Sequence, residues 1–168
     1  MPGRSAADRR RTLGRRWRGV LADCASVLNT IDHPRLIDGR AFAINCADAL
    51  RAGHHRAAQA LAANLLDSLL RGNLDAAVRT QLTRNTFRSN GSKIDLDAYE
   101  VRMALTFAPV WHAYAQYRTE HGDRVPRAFG RHPSAHAVSR AQYTRINAVI
   151  ALMLVTSVLR FLDAEMDR

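Results

Sequence analysis

The stretch from Ala148 to Val155 is apolar on nearly every side, inside a helical pattern that runs from about Thr144 to Ala164. A helix apolar all round has no face to offer to water, so the rest of the fold must surround it. A bilayer is excluded as that surrounding: only twelve residues separate Asn147 from Arg160, Thr156 and Ser157 among them, where a span takes roughly twenty. With 168 residues, 47% of them hydrophobic, the chain fits one domain with a sizeable core and leaves no room for a second catalytic domain. The expected fold is an all-α helical bundle with a buried C-terminal helix and no membrane segment.

Upstream, periodicity predicts the helices that wrap it. A first helix runs to about Leu28 and breaks at Asp32-His33-Pro34, because the residue before proline is pushed out of helical geometry. From Asp38, Phe42, Cys46, Ala49 and Leu50 share a face, and Gly53 closes the segment. The next helix, about His54 to Arg71, sets Leu61, Leu65, Leu66, Leu69 and Leu70 in i, i+4 rows and stops at Gly72. A further turn or two spans Leu74 to Leu82. The polar run from Arg84 to Ser92 reads as a connection, after which Asp95 or Asp97 caps a long helix through Val101, Leu105, Val110, Tyr114 and Tyr117, kinked at Pro109 and ended by His121-Gly122-Asp123. No internal repeat and no alternating strand pattern occurs.

The balance of charge points to an acidic partner. The net charge is +10 with 25 basic residues, and Lys93 is the single lysine. A guanidinium grips phosphate oxygens bidentately, so clustered arginines suit nucleic acid. Genomic base composition explains arginine in place of lysine, but not an excess of ten positive charges. Residues 4 to 18 hold seven arginines against one acid, with Gly14 and Gly19 weakening any helix. That segment reads as a frayed basic arm, so the chain divides into an arm with its first helix, residues 1–30, and a helical domain, residues 31–168, within one globular unit. Arg9, Arg10, Arg11, Arg15 and Arg16 of the arm, with Arg84, Arg88 and Lys93 of the polar connection, are the candidate RNA contacts. The lone cysteines Cys24 and Cys46 suit a reducing cytoplasm, and no targeting segment is assigned, because the apolar stretch at Val20-Leu21-Ala22 is too short for a secretion signal.

One motif carries chemistry: Phe129-Gly130-Arg131-His132-Pro133-Ser134-Ala135-His136-Ala137-Val138, followed by Tyr143, Asn147 and the apolar helix. Five steps along a regular helix leave Arg131 and His136 about 140° apart. Pro133 suits the first position of a helix, so Arg131 and His132 fall in the entering turn while His136 projects from the turn above. The last forty residues resemble the HEPN domains, all-α proteins with an Arg-x4-6-His motif beside their final helix. His132 matches the polar residue that often follows the arginine. Tyr143, Asn147 and the closing helix match the abortive-infection branch, and Ala137 departs from a common glycine. The resemblance implies a metal-independent endoribonuclease without cofactor, a homodimer with two motifs lining one cleft, and a toxin or phage-defence role under a cognate antitoxin or regulator. His136 then moves the proton of a ribose 2′-hydroxyl or of the leaving 5′-oxygen, Arg131 stabilises charge on the phosphate, and His132 assists, with Tyr143 and Asn147 orienting.

Other readings attach to the same residues. His132 and His136 stand at the i, i+4 spacing that chelates zinc, but no third ligand lies nearby in sequence and Arg131 repels a cation. Arg-x4-His recurs by chance, and such a pair at a helix start is often surface charge and capping. A non-catalytic RNA-binding or antitoxin-like module would use the same arginines for phosphate contact alone. His33, His54, His55 and His121 read as surface, His112 as core or boundary, and Trp111, Tyr114 and Tyr117 as core and its rim.

Overall fold

The computed structural model describes residues 5–84 and 101–166. Arg88, Lys93 and the expected helix start at Asp95 or Asp97 lie outside the described residues. Among those described there is no strand, and seven α-helices follow in order: α1 (Ala6–Leu28), α2 (Ile37–Arg51), α3 (His55–Asn73), α4 (Ala76–Arg84), α5 (Val101–Ala113), α6 (Arg131–His136) and α7 (Arg145–Met166). Helix α7 packs against α1, α2, α3 and α5 and buries most of its surface, from Ala148 and Val149 through Val155 to Phe161 and Leu162, but one stripe, Met153, Ser157 and Arg160, stays exposed where no helix covers it, so the burial expected on every side is not complete. By length and composition it could cross a bilayer, so the count of twelve residues between Asn147 and Arg160 does not decide the matter; what does is that 72% of its most apolar window is buried inside the fold, as in the core helix of a bundle.

The basic segment is not a frayed arm. Ser5 and Asp8 form a capping box, in which each side chain accepts from the other's backbone N–H at 3.2–3.3 Å, and α1 then runs unbroken through both glycines. Gly14 is the point where α1 crosses α7: a Cβ there would sit 3.3 Å from Cδ1 of Ile146. Its helix-weakening tendency is offset by that close approach. Arg10 ties the same segment down by donating to the Asn147 side chain at 3.0 Å and to the Arg127 carbonyl.

Small residues decide the rotation of α2. A Cβ on Gly39 would lie 2.9 Å from Leu69 and 3.3 Å from Leu159, so α2 meets α3 and α7 along Gly39, Ala43, Cys46, Ala47 and Leu50. That row turns Phe42, expected on the buried face, outward to 49% exposure. Gly72, expected to end α3, lies inside it, while Gly53 makes the α2–α3 turn with a φ of 89°. Helix α5 holds Pro109 and stops at Ala113, so Tyr114 and Tyr117 belong to the segment after it.

The C-terminal end of α7 also fixes the α1–α2 connection. Asp163, 1% exposed, accepts from the backbone N–H groups of Asp32 and His33, both at 3.2 Å, and pairs with Arg160 at 2.7 Å. Arg160 is half exposed and adds little. Asp163→Ala leaves the two backbone donors without their acceptor and is expected to cost about 2–4 kcal/mol in urea unfolding. A loss under about 0.5 kcal/mol, the range of a neutral surface change, would show that water replaces the carboxylate.

Candidate active site

Helix α6 is a short turn set on α3. Gly130 caps it in extended conformation, and Arg131, rather than Pro133, is its first residue, so the helix begins two residues earlier than expected. Pro133 still falls in the first turn, where its missing N–H costs nothing. A Cβ on Gly130 would lie 2.7 Å from Cγ of Pro133, so this entry needs glycine. Pro133 and Ser134 are buried, and the Ser134 hydroxyl accepts from the side-chain amide of Gln59 on α3 at 2.9 Å.

With that face fixed, Arg131 and His132 point into a cleft of ≈ 390 Å³ between α3, α4 and the segment after α5. Arg131, 16% exposed, forms an ion pair with Asp67 at 3.0 Å. The same carboxylate accepts from Arg71 at 2.7 Å and from the Tyr114 hydroxyl at 3.0 Å. Tyr114 meets the His132 ring edge to face at 6.0 Å, and His136 stacks on His132 at 6.5 Å with the planes 16° apart. His136 is exposed and lies outside the cleft lining. The motif therefore brings Arg131 and His132 together directly, and reaches His136 through its contact with His132.

The cleft is strongly basic: Arg71, Arg79, Arg84, Arg118 and Arg131 line it against a single carboxylate, Asp67. Burial pushes the Asp67 carboxyl up, but hydrogen bonds from Arg71 and Tyr114, with the charges of Arg131 and Arg71, hold it below the usual carboxylate range. Its contribution to stability is therefore complete above the unfolded carboxyl's pKa and is lost as pH falls through the depressed folded value. Tyr114 is pushed up, by burial first and then by the Asp67 charge. His132 is lowered, by burial first and then by the charges of Arg131 and His136, which biases it to the neutral, proton-accepting form.

Tyr143 and Asn147 stand behind the site rather than in it. The Tyr143 hydroxyl donates to the Ser134 carbonyl in α6. Asn147, fully buried, donates from its side-chain amide to the Gln142 carbonyl at 2.6 Å and the Arg127 carbonyl at 3.1 Å. Together they fasten both connections of α6 to the start of α7.

Of the candidate RNA contacts, Arg84 lines the cleft and the α1 arginines do not. Arg10 is spent on Asn147 and Arg127, and Arg11 pairs with Asp8 at 3.5 Å, while Arg9, Arg15 and Arg16 are exposed along α1. His54 and His121 are exposed as expected; His33 and His55 are half-buried, and His112, expected in the core or at its boundary, is exposed. Among the described residues no three His, Cys, Asp or Glu side chains gather as a metal site. Sequence reasoning missed Asp67 and Arg71, whose signal is an acid and a base at i, i+4 in an otherwise Leu- and Ala-rich helix. No family model, curated protein or solved structure matches the chain.

Replacing Arg131 by glutamine removes a positive neighbour and frees Asp67 to face His132, so the His132 pKa should rise; Asp67→Asn should lower it. Imidazole proton shifts followed by NMR across pH 4 to 9 read both directions. An Arg131→Gln protein whose His132 titrates as in the unmodified chain would remove the guanidinium from this site.

Proposed function

We propose that the protein is a HEPN-type endoribonuclease, cutting RNA without metal or cofactor. The observation that carries this is the basic cleft, where Arg131 and a neutral-biased His132 meet and His136 stacks at the rim. An RNA strand lays its phosphates against the five arginines. His132 takes the proton of a ribose 2′-hydroxyl, whose oxygen bonds to phosphorus as the bond to the 5′-oxygen breaks. His136 gives a proton to that departing oxygen. Arg131 stabilises the charge gathering on the phosphate oxygens, the moment at which its contact counts most. The products are a 2′,3′-cyclic phosphate and a 5′-hydroxyl, and DNA, lacking the internal nucleophile, is not cut.

The exposed His136 and the 91%-exposed Val138 beside it fit a homodimer in which a second copy completes the site. A basic RNA-cutting protein of this kind fits a cytoplasmic toxin or phage-defence effector held in check by a cognate antitoxin or regulatory partner. The Asp67–Arg131 ion pair favours a second reading, in which the arginine is neutralised and the cleft grips RNA without cutting it.

The two readings part on a labelled single-stranded RNA incubated with the protein in EDTA. Cutting should persist, end in a cyclic or 3′-phosphate, and fall by about 10² to 10⁴ in His132→Ala or His136→Ala with most binding retained. Salt-sensitive binding with no fragments would support the second reading. Unchanged cutting in both histidine variants would falsify the assignment of the site.

A further inference from the structure

A second basic feature lies on the α1 side of the molecule, away from the cleft. Trp17 is half-buried, with the Arg18 guanidinium 4.7 Å from its ring centre and that of Arg145 at 5.3 Å. Two adjoining hollows of ≈ 450 and ≈ 330 Å³ meet there, sharing Trp17, His55 and Arg145, and no carboxylate lines either one. Arg51 edges the second hollow and is paired with Asp48. Arg18 and Arg145 are exposed, and neither has a carboxylate partner among the described residues.

Two guanidiniums gathered on one indole without a counter-ion repel each other. Each gains only a weak attraction from the ring at an exposed site, so the packing of the fold gives little reason for their convergence. A phosphate placed between them removes the repulsion. The indole and the planar guanidiniums at the same spot offer stacking surface for an unpaired base. An aromatic ring with unneutralised arginines and no acid in the lining is complementary to single-stranded nucleic acid on both counts. Tyr143 lines the larger hollow, and its hydroxyl holds the Ser134 carbonyl of the motif helix, so the patch and the cleft share one rigid connection.

We propose that Trp17, Arg18 and Arg145 form a second RNA site, which takes a phosphate and an unpaired base of the strand outside the cleavage cleft. This rests on the reading of RNA as the substrate, and it names residues that take no part in cutting.

Trp17 and Trp111 are the two tryptophans of the chain, so Trp111→Phe leaves Trp17 as the fluorescent reporter. A fully 2′-O-methylated single-stranded 12-mer, which cannot be cut, should quench Trp17. Arg18→Gln with Arg145→Gln should weaken its binding roughly tenfold and reduce the slope of log affinity against log salt by about 1.4, the value for two single-strand phosphate contacts. A silent Trp17 with an unchanged slope overturns the site, as does equal affinity for blunt duplex RNA or tight binding to phosphatidylserine vesicles without binding to the oligonucleotide. If Trp111→Phe unfolds the chain, the slope measured for the double variant in the otherwise unaltered protein decides alone. A protein that cuts no RNA but gives the quench and the slope change keeps this site and loses the nuclease; cutting with neither response does the reverse.

Discussion

Removing most of the apolar surface of α7 from water is the constraint that the rest of the fold answers. Four helices close around it, and of its buried residues only Asn147, Thr156 and Asp163 are polar. Asn147 and Asp163 sit near its two ends, and each spends its polar atoms on a connecting segment: Asn147 on Gln142 and Arg127, Asp163 on Asp32 and His33. Buried polar groups that bond to loop backbone specify a geometry, because any other arrangement strands them. The helix that makes the core thus also sets where α6 enters and leaves.

The candidate site inherits its shape from that fastening and its electrostatics from one carboxylate. Asp67 receives Arg71, Tyr114 and Arg131, and no other acid lines the cleft. Gathering five arginines around one aspartate opposes folding through mutual repulsion. The buried Nε of Arg131 has no hydrogen-bond partner, a further cost that the packing leaves uncompensated. Costs of this kind persist at sites kept for something other than stability, and one of them falls on Arg131, which the sequence motif singles out.

Much of this is legible in the amino-acid sequence. The all-round apolarity of residues 148–155 identified the core helix, and the Leu rows placed α3 to within two residues at its C-terminal end. Periodicity, however, says which face is apolar and not which neighbour it meets. Phe42 turns outward because the close α2 contact selects Gly39, Ala43 and Ala47 by size, a choice made by Leu69 and Leu159 on other helices. Gly14 read as a helix breaker for the same reason: its missing side chain is used by Ile146, far along the chain. The Arg131–Asp67 pair joins residues 64 apart in sequence, and no local pattern announces it. Tyr143 and Asn147 were found by their order after the motif, and their bonds then gave them a physical task.

The arginines divide into two populations, and the division bears on what the excess charge is for. Arg10 and Arg40 are spent on backbone carbonyls, and Arg11, Arg51, Arg71, Arg102, Arg131 and Arg160 on carboxylates. A bias toward arginine codons accounts for either population equally well, because it acts on identity and is blind to position. What it leaves unexplained is that, among the described arginines with no carboxylate partner, Arg79, Arg84 and Arg118 gather in the cleft and Arg18 and Arg145 around Trp17, while others such as Arg15, Arg56 and Arg140 are spread over the surface. Like charges left to solubility alone would spread, since separation lowers their repulsion at no cost in packing. Held together beside aromatic rings, they keep a field that a chain of phosphates would relieve.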